Sequence, residues 1–188
     1  TGAITDISAI SAMLKRNKSM ALLHTDAVQA YLKGRLSPQA LHADLVTVSA
    51  HKIHAPRGAA ALYISGEVIK RKNIVPVMPG GGQEDGFRSG TEGTPAIFGF
   101  AAAGAAVSST YKEDAHREKA MIDGLVDKLS ALDGIRINGS HAAPHILSIA
   151  IPGVPTQNSI NILQDHGICV SAGSACAKGH RSHVLEAM

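Results

Sequence analysis

The stretch Leu45–Gly58, LVTVSAHKIHAPRG, constrains this chain more than any other. Leu45 to Val48 read as a short apolar strand that runs into Ser49, Ala50, His51 and Lys52. A loop with Pro56 and Gly58 follows, and then a second apolar strand, Ala59–Ile64. A lysine at the carboxyl end of a strand, shielded by apolar neighbours and next to two hydrogen-bond donors, suits an amine that reacts with an aldehyde. Burial lowers the pKa of an ammonium and so yields the neutral nucleophile that a Schiff base needs. Taken singly, Lys52 reads more readily as one of the chain's surface cations.

A second stretch, Met20–Gln29 (MALLHTDAVQ), shifts that balance. Met20 to Leu23 read as another short buried strand, ending in His24, Thr25 and Asp26, with Gln29 three residues beyond. Pyridoxal phosphate makes two demands: a carboxylate on its pyridinium nitrogen, which keeps the ring an electron sink, and a lysine on its aldehyde. Two neighbouring strands, one ending in Asp and the next in Ser-x-His-Lys, supply both at the carboxyl edge of a sheet, where open α/β sheets bind ligands. Asp26 alone reads equally well as a helix cap.

HTDAVQ, then SAHKIHAPRG, then GGGQEDGFRSGT, then SAGSACAKG resembles the cysteine desulfurases, a branch of the class V aminotransferases. The motifs stand in that family's order and span most of the chain. The form of the last one is similar to the branch that supplies sulfur for iron–sulfur clusters and tRNA thiolation. The resemblance implies a pyridoxal-phosphate enzyme of the aminotransferase-like α/β fold (fold type I). It implies the latter part of a large cofactor-binding domain joined to most of a small α+β domain, and the change of composition at Lys112 sets the boundary, giving residues 1–112 and 113–188.

By the same resemblance, Lys52 holds the cofactor aldehyde and then shuttles a proton, Asp26 pairs with the pyridinium, and Gln29 bonds the phenolic oxygen. Ser49 and His51 bind the phosphate, joined by Thr91 from the other subunit of a homodimer. Cys176 attacks the sulfur of the L-cysteine adduct, becomes a persulfide, leaves alanine, and passes its sulfur to an acceptor protein. The family's upstream phosphate loop, ring-stacking His and substrate-binding Asn are expected before Thr1, and its carboxylate-binding Arg after Met188. The chain opens without Met and stops inside a helical pattern, SHVLEAM, so it reads as a piece of a longer enzyme, inactive alone, with an inner sheet face in need of cover.

Composition narrows the rivals. The 188 residues are 45% hydrophobic and 18% charged, with net charge +3, values of a globular chain with material for a core. KRNK at Lys15–Lys18 and KRK at Lys70–Lys72 read as solvated faces, and scarce aromatics leave little for base stacking. No apolar run reaches the roughly 18 residues of a membrane span, and no signal peptide opens the chain. The sequons at Asn17 and Asn138 read as chance. Two cysteines, Cys169 and Cys176, argue against a disulfide framework and fit a reducing cytoplasm.

Cys176 lies among small residues past a strand, with Lys178, His180 and Arg181 close in sequence, and such cations lower a thiol pKa. Cys169, inside ICV, reads as a packed structural thiol. Cys169, Cys176, His180 and His183 lack the paired short spacings of a zinc site, so no metal is expected. The remaining histidines, among them His42, His116, His141, His145 and His166, read as surface or capping residues.

Along the rest of the chain, Asp6 caps a helix that carries Ile7, Ile10, Met13 and Leu14, and Leu36–Ala43 is a polar connection. Helix and strand alternate, which argues for a mostly parallel sheet. Residues 75–94 form a Gly-rich loop whose spacing is not that of a P-loop. Thr94 caps a helix with Pro95 at its first position, running into the small apolar AIFGFAAAGAAV. From Lys112 the composition turns charged, with Ala120, Leu125, Leu129 and Leu132 marking an amphipathic helix that Gly134 ends. Strands Ile135–Ile137 and Ile146–Ile151, a helix from Thr156 to Gly167 and a final strand, ICVSA, complete the pattern.

Two further readings remain open. A selenocysteine lyase or another class V aminotransferase keeps Asp26 and Lys52 without needing Cys176. A sulfur-relay or scaffold module uses Cys176 as a carrier without catalysis.

Overall fold

In a computed structural model, residues 1–34, 36–173 and 183–187 are described. They fall into two compact units, Thr5–Ala115 and a second made of Thr1–Ile4 with His116–Met188.

The first unit is built on a mixed sheet. Helix α1 (Ile7–Arg16) starts where the Asp6 carboxylate accepts the Ala9 amide at 2.9 Å, the side-chain cap that its sequence calls for. Strand β1 (His24–Asp26) pairs in parallel with β2 (Leu45–Ser49), which pairs antiparallel with β3 (Ala60–Ile64). The parallel expectation therefore holds for one pair only, because a tight connection of about ten residues brings β3 back beside β2 as a hairpin-like return. Between β1 and β2, α2 (Pro38–Leu41) is one helical turn with Ser37 as cap and Pro38 at its first position, where a polar connection was expected. Pro fits there because the missing N–H would have no helical partner.

The expected strand at Met20–Leu23 is not one. Regular pairing begins at His24, and Met20 is 83% exposed. Instead the Leu23 carbonyl accepts the Asp44 and Leu45 amides, and the Leu23 amide donates to Asp44 Oδ2 at 2.8 Å, so an acid side chain closes the ladder where the main chain leaves it. Ala27, Ala43 and Val46 form the buried cluster beneath the sheet, with Ile7, Leu36, Leu41, Val48 and Tyr63 packed against them. Helix α3 (Gly66–Arg71), capped by Ser65, follows β3.

Helix α4 (Thr94–Ser130) runs unbroken through the two segments read as separate helices, and the division between the units falls within it. Its charged part is helical by propensity, and none of Gly99, Gly104 or Gly124 breaks it. Ser130, not Gly134, is its last residue. Gly134 turns the chain four residues later at φ +81°.

In the second unit, β4 (Arg136–Ile137) pairs antiparallel with β5 (Ile149–Ala150), shorter than the expected Ile146–Ile151 strand. Helix α5 (Thr156–Asp165) begins without a side-chain cap, so Thr156 is its first residue and not its cap. His183–Glu186 form one last turn, α6. The expected strand ICVSA is irregular over its described residues; the Ile168 amide is spent on the Leu163 carbonyl at the end of α5, and no strand pairs with the segment among the described residues. Cys169 is exposed, which overturns the packed-thiol expectation. His42, at φ +50°, is indeed the cap of α2, and His116 and His166 are exposed. His141 and His145 are half-buried instead of lying on the surface. They flank Ala143, whose amide donates to the Gly2 carbonyl at 2.9 Å. A side chain at Gly2 would meet the Ile146 carbonyl oxygen at 2.5 Å, which is why this strap takes glycine.

Candidate active site

Because β1 and β2 run parallel, their carboxyl ends open on one edge of the sheet, and the residues singled out above are the ones found there. Asp26 is the last residue of β1. Its Oδ1 accepts the Val28 amide at 2.9 Å, an Asx turn that fixes the carboxylate, while Oδ2 has no hydrogen-bond partner among the described residues. The turn then tightens as the Ala30 and Tyr31 amides both reach the Ala27 carbonyl, and Gln29 stands exposed on it.

Ser49 ends β2, and Ala50–Ile53 wind into a 3₁₀ turn where an open loop was expected. The turn is pinned from both sides: the Ala50 amide donates to the Ala59 carbonyl, and Ala50 and Ile53 are fully buried. Lys52 therefore sits on a rigid turn, half-buried, next to a wholly buried isoleucine but not enclosed by apolar side chains. His54, at φ +68°, ends the turn in the left-handed region. The Ser49 hydroxyl and His51 Nδ1 lie 2.8 Å apart in a hydrogen bond, so the two groups expected on one anion are already held together.

Helix α4 backs this turn. A Cβ at Gly99 would lie 2.9 Å from Pro56 Cδ, and one at Gly104 would lie 3.9 Å from Tyr31 Oη and 4.0 Å from Ile53 Cδ1. The Tyr31 and Phe100 rings meet edge to face at 6.0 Å. The small residues of AIFGFAAAGAAV thus serve close approach to the segments that carry Gln29 and Lys52.

Thr91 stands exposed in the Gly-rich loop, with no hydrogen bond to Asp26, Ser49, His51 or Lys52 among the described residues. That loop is closed on itself. Met78 bridges Arg88, the Ser89 amide donates to the Met78 carbonyl, and the Gly90 amide donates to Gln83 Oε1 at 3.2 Å. Cys176 lies outside the described residues.

Two contacts at the sheet edge were not anticipated. His24 Nε2 and Thr47 Oγ1 lie 2.8 Å apart, and Asp44 ties the entry to β1. The signal for the first was alternation: His24 precedes Asp26 by two residues and Thr47 precedes Ser49 by two, which places those four side chains on one face.

The model of the family described as "Aminotransferase class-V" matches residues 1–187. A mitochondrial cysteine desulfurase of Saccharomyces cerevisiae is 34% identical over 191 residues, covering 100% of this chain and 37% of its own length. A cysteine desulfurase of Pseudomonas entomophila is 37% identical, covering 100% of this chain and 46% of its own length. Among solved structures, a NifS-like protein from Rickettsia africae superposes with a TM-score of 0.79 at 33% identity, over 92% of this chain and 47% of that one. The chain thus spans about half the length of the relatives it matches, or less. It has the fold of the corresponding part of those structures, and it belongs to the class V aminotransferase family.

Proposed function

We propose that the chain is the part of a pyridoxal-phosphate-dependent cysteine desulfurase that carries the cofactor lysine and the sulfur-accepting cysteine. The observation that supports this best is the shared sheet edge, with Asp26 closing β1 and Ser49, His51 and Lys52 following β2. The donor set fits the cofactor. Among the described residues Asp26 keeps one carboxylate oxygen uncommitted for a pyridinium N–H, and the Ser49–His51 pair offers a hydroxyl and an imidazole to a phosphate. Bound, the cofactor supplies an electron sink that weakens bonds to the substrate's carbons.

The chain's own residues do the rest. The 3₁₀ turn places Lys52 just past the end of β2, and its amine anchors the cofactor and afterwards moves a proton. Gln29 lies on the turn after Asp26, placed to bond the phenolic oxygen. Thr91, exposed on a closed loop, completes the phosphate site of the partner subunit in a homodimer. The Cys176 thiolate attacks the sulfur of L-cysteine; an S–S bond forms as the C–S bond breaks, and the electron pair left on carbon is protonated to give alanine. The persulfide is then handed to an acceptor of the iron–sulfur or tRNA-thiolation kind. Such chemistry fits a reducing compartment such as the cytoplasm, and among the described residues no helix is long and apolar enough to cross a membrane.

The test is to incubate the full-length enzyme with pyridoxal phosphate and L-cysteine, then to measure alanine and the mass of the Cys176 peptide. Alanine together with a gain of one sulfur atom, both lost in Cys176→Ala, supports the desulfurase. A visible cofactor band with neither product moves the function to a sister enzyme. No cofactor band overturns the reading and leaves a sulfur-relay module.

A further inference from the structure

The contact between His24 and Thr47 plays no part in the reading above, yet it sits beside the acid on which that reading depends. β1 is three residues long. A strand this short depends on contacts beyond its own ladder to hold its end in place. The parallel register sets His24 opposite Leu45 and Asp26 opposite Thr47. Paired residues point to the same face, so His24, Asp26, Thr47 and Ser49 share one. The His24 imidazole reaches forward along that face to the hydroxyl of the residue opposite Asp26, at 2.8 Å.

Thr47 also holds β1 through its main chain, since its carbonyl accepts the Ala27 amide at 2.9 Å. One residue thus grips β1 on both sides of Asp26, by its side chain two residues before and by its main chain one residue after. It lies two residues ahead of Ser49 on the strand that feeds the Lys52 turn.

We propose that Thr47 and His24 are paired positioning residues. Their hydrogen bond fixes the Asp26 carboxylate against the Ser49–Lys52 turn, so that the pyridinium and phosphate ends of the cofactor are bound at one set spacing. This rests on the cofactor reading above, and it assigns neither residue a contact with the reacting atoms.

The experiment uses the full-length enzyme and Thr47→Val, His24→Ala, the double variant, and Thr47→Ser. Two readouts are taken: the dissociation constant for pyridoxal phosphate, and the circular dichroism of the cofactor's visible band, which reports how the ring is held. Thr47→Val keeps the branched shape and loses the hydroxyl. It is expected to weaken cofactor binding about three- to tenfold, the scale of one neutral hydrogen bond, and to diminish the visible dichroism. Thr47→Ser restores both, and the double variant loses no more than the worse single one, because the two residues act through each other. If the losses add, or if neither readout moves in either single variant, the pairing is wrong. Should Thr47→Val fail to fold, His24→Ala, at an exposed position, carries the same test. A wild-type enzyme without a cofactor band overturns the cofactor reading and this proposal together. A normal wild-type band with unchanged variants overturns this proposal alone.

Discussion

On the proposed reading Asp26 has a separate task for each of its two carboxylate oxygens, and a single substitution separates them. Oδ1 accepts the Val28 amide and shapes the turn, while Oδ2 is uncommitted among the described residues. Asn keeps an oxygen for the amide but brings no charge to a pyridinium. Asp26→Asn should therefore leave the unfolding midpoint close to wild type while alanine formation in the full-length enzyme falls on the order of a hundredfold or more, the scale of removing one preorganised charge partner. A fall in stability equal to that of Asp26→Ala would show that the amide oxygen does not replace Oδ1. Asp44 provides the contrasting case, an acid whose task is wholly structural. Its Oδ2 accepts the Leu23 amide at the entry to β1. Asp44→Ala leaves that part-buried N–H unpaired and should cost about 1–3 kcal/mol in denaturant unfolding, whether or not cofactor is present.

At the scale of elements, the sequence was most legible where apolar pattern and punctuation agreed. β2 and β3 were read nearly residue for residue, because apolar residues between polar ends leave one choice of register. The Asp6 cap was equally legible, since its acceptor serves an amide three residues away. Errors came where tertiary contacts decided. Met20 to Leu23 have the composition of a strand, but the ladder is closed there by the Asp44 side chain, which lies 21 residues further along the chain. The composition of α4 changes near Lys112 and suggests two helices, whereas the backbone stays helical across the change, with alanines supporting the first half and Lys, Glu, Ala and Leu the second. The position of Lys52 just past the end of β2 was legible from the strand before it; the 3₁₀ turn was not, because it is set by the burial of Ala50 and Ile53.

The glycines of α4 make that dependence testable. Gly99 faces Pro56, with 2.9 Å between an added Cβ and the ring, while Gly124 has nothing within 4 Å. Gly124→Ala should stabilise by about 0.5–1 kcal/mol through helix propensity alone. Gly99→Ala gains the same propensity but must push the segment behind Lys52, at a cost of about 1–3 kcal/mol. Thermal unfolding should therefore place Gly99→Ala at or below wild type and Gly124→Ala above it. Equal stabilisation by both would mean that Pro56 yields freely and that α4 does not brace the turn.

At the scale of the whole molecule, the exposed apolar residues carry the argument. Val75 is 81% exposed, Val77 92% and Phe98 74%, in a chain that spans about half of its relatives' length. Side chains of this size left in water favour association, since each buries apolar area worth about 1.5–3 kcal/mol when covered. The 188-residue chain prepared alone should bind a dye specific for apolar surface and sediment as a concentration-dependent mixture. The double variant Val77→Ser, Phe98→Ser should reduce both signals. In the full-length enzyme the same two substitutions should instead lower unfolding stability by more than about 1 kcal/mol, because exposed sites tolerate such changes within roughly 0.5 kcal/mol and covered sites do not. The opposite signs are what distinguish a surface that another segment or subunit covers from one that is solvated in every state. If stability in the full-length enzyme is unchanged, Val77 and Phe98 face water there too, and no covered apolar surface lies beside the Gly-rich loop that carries Thr91.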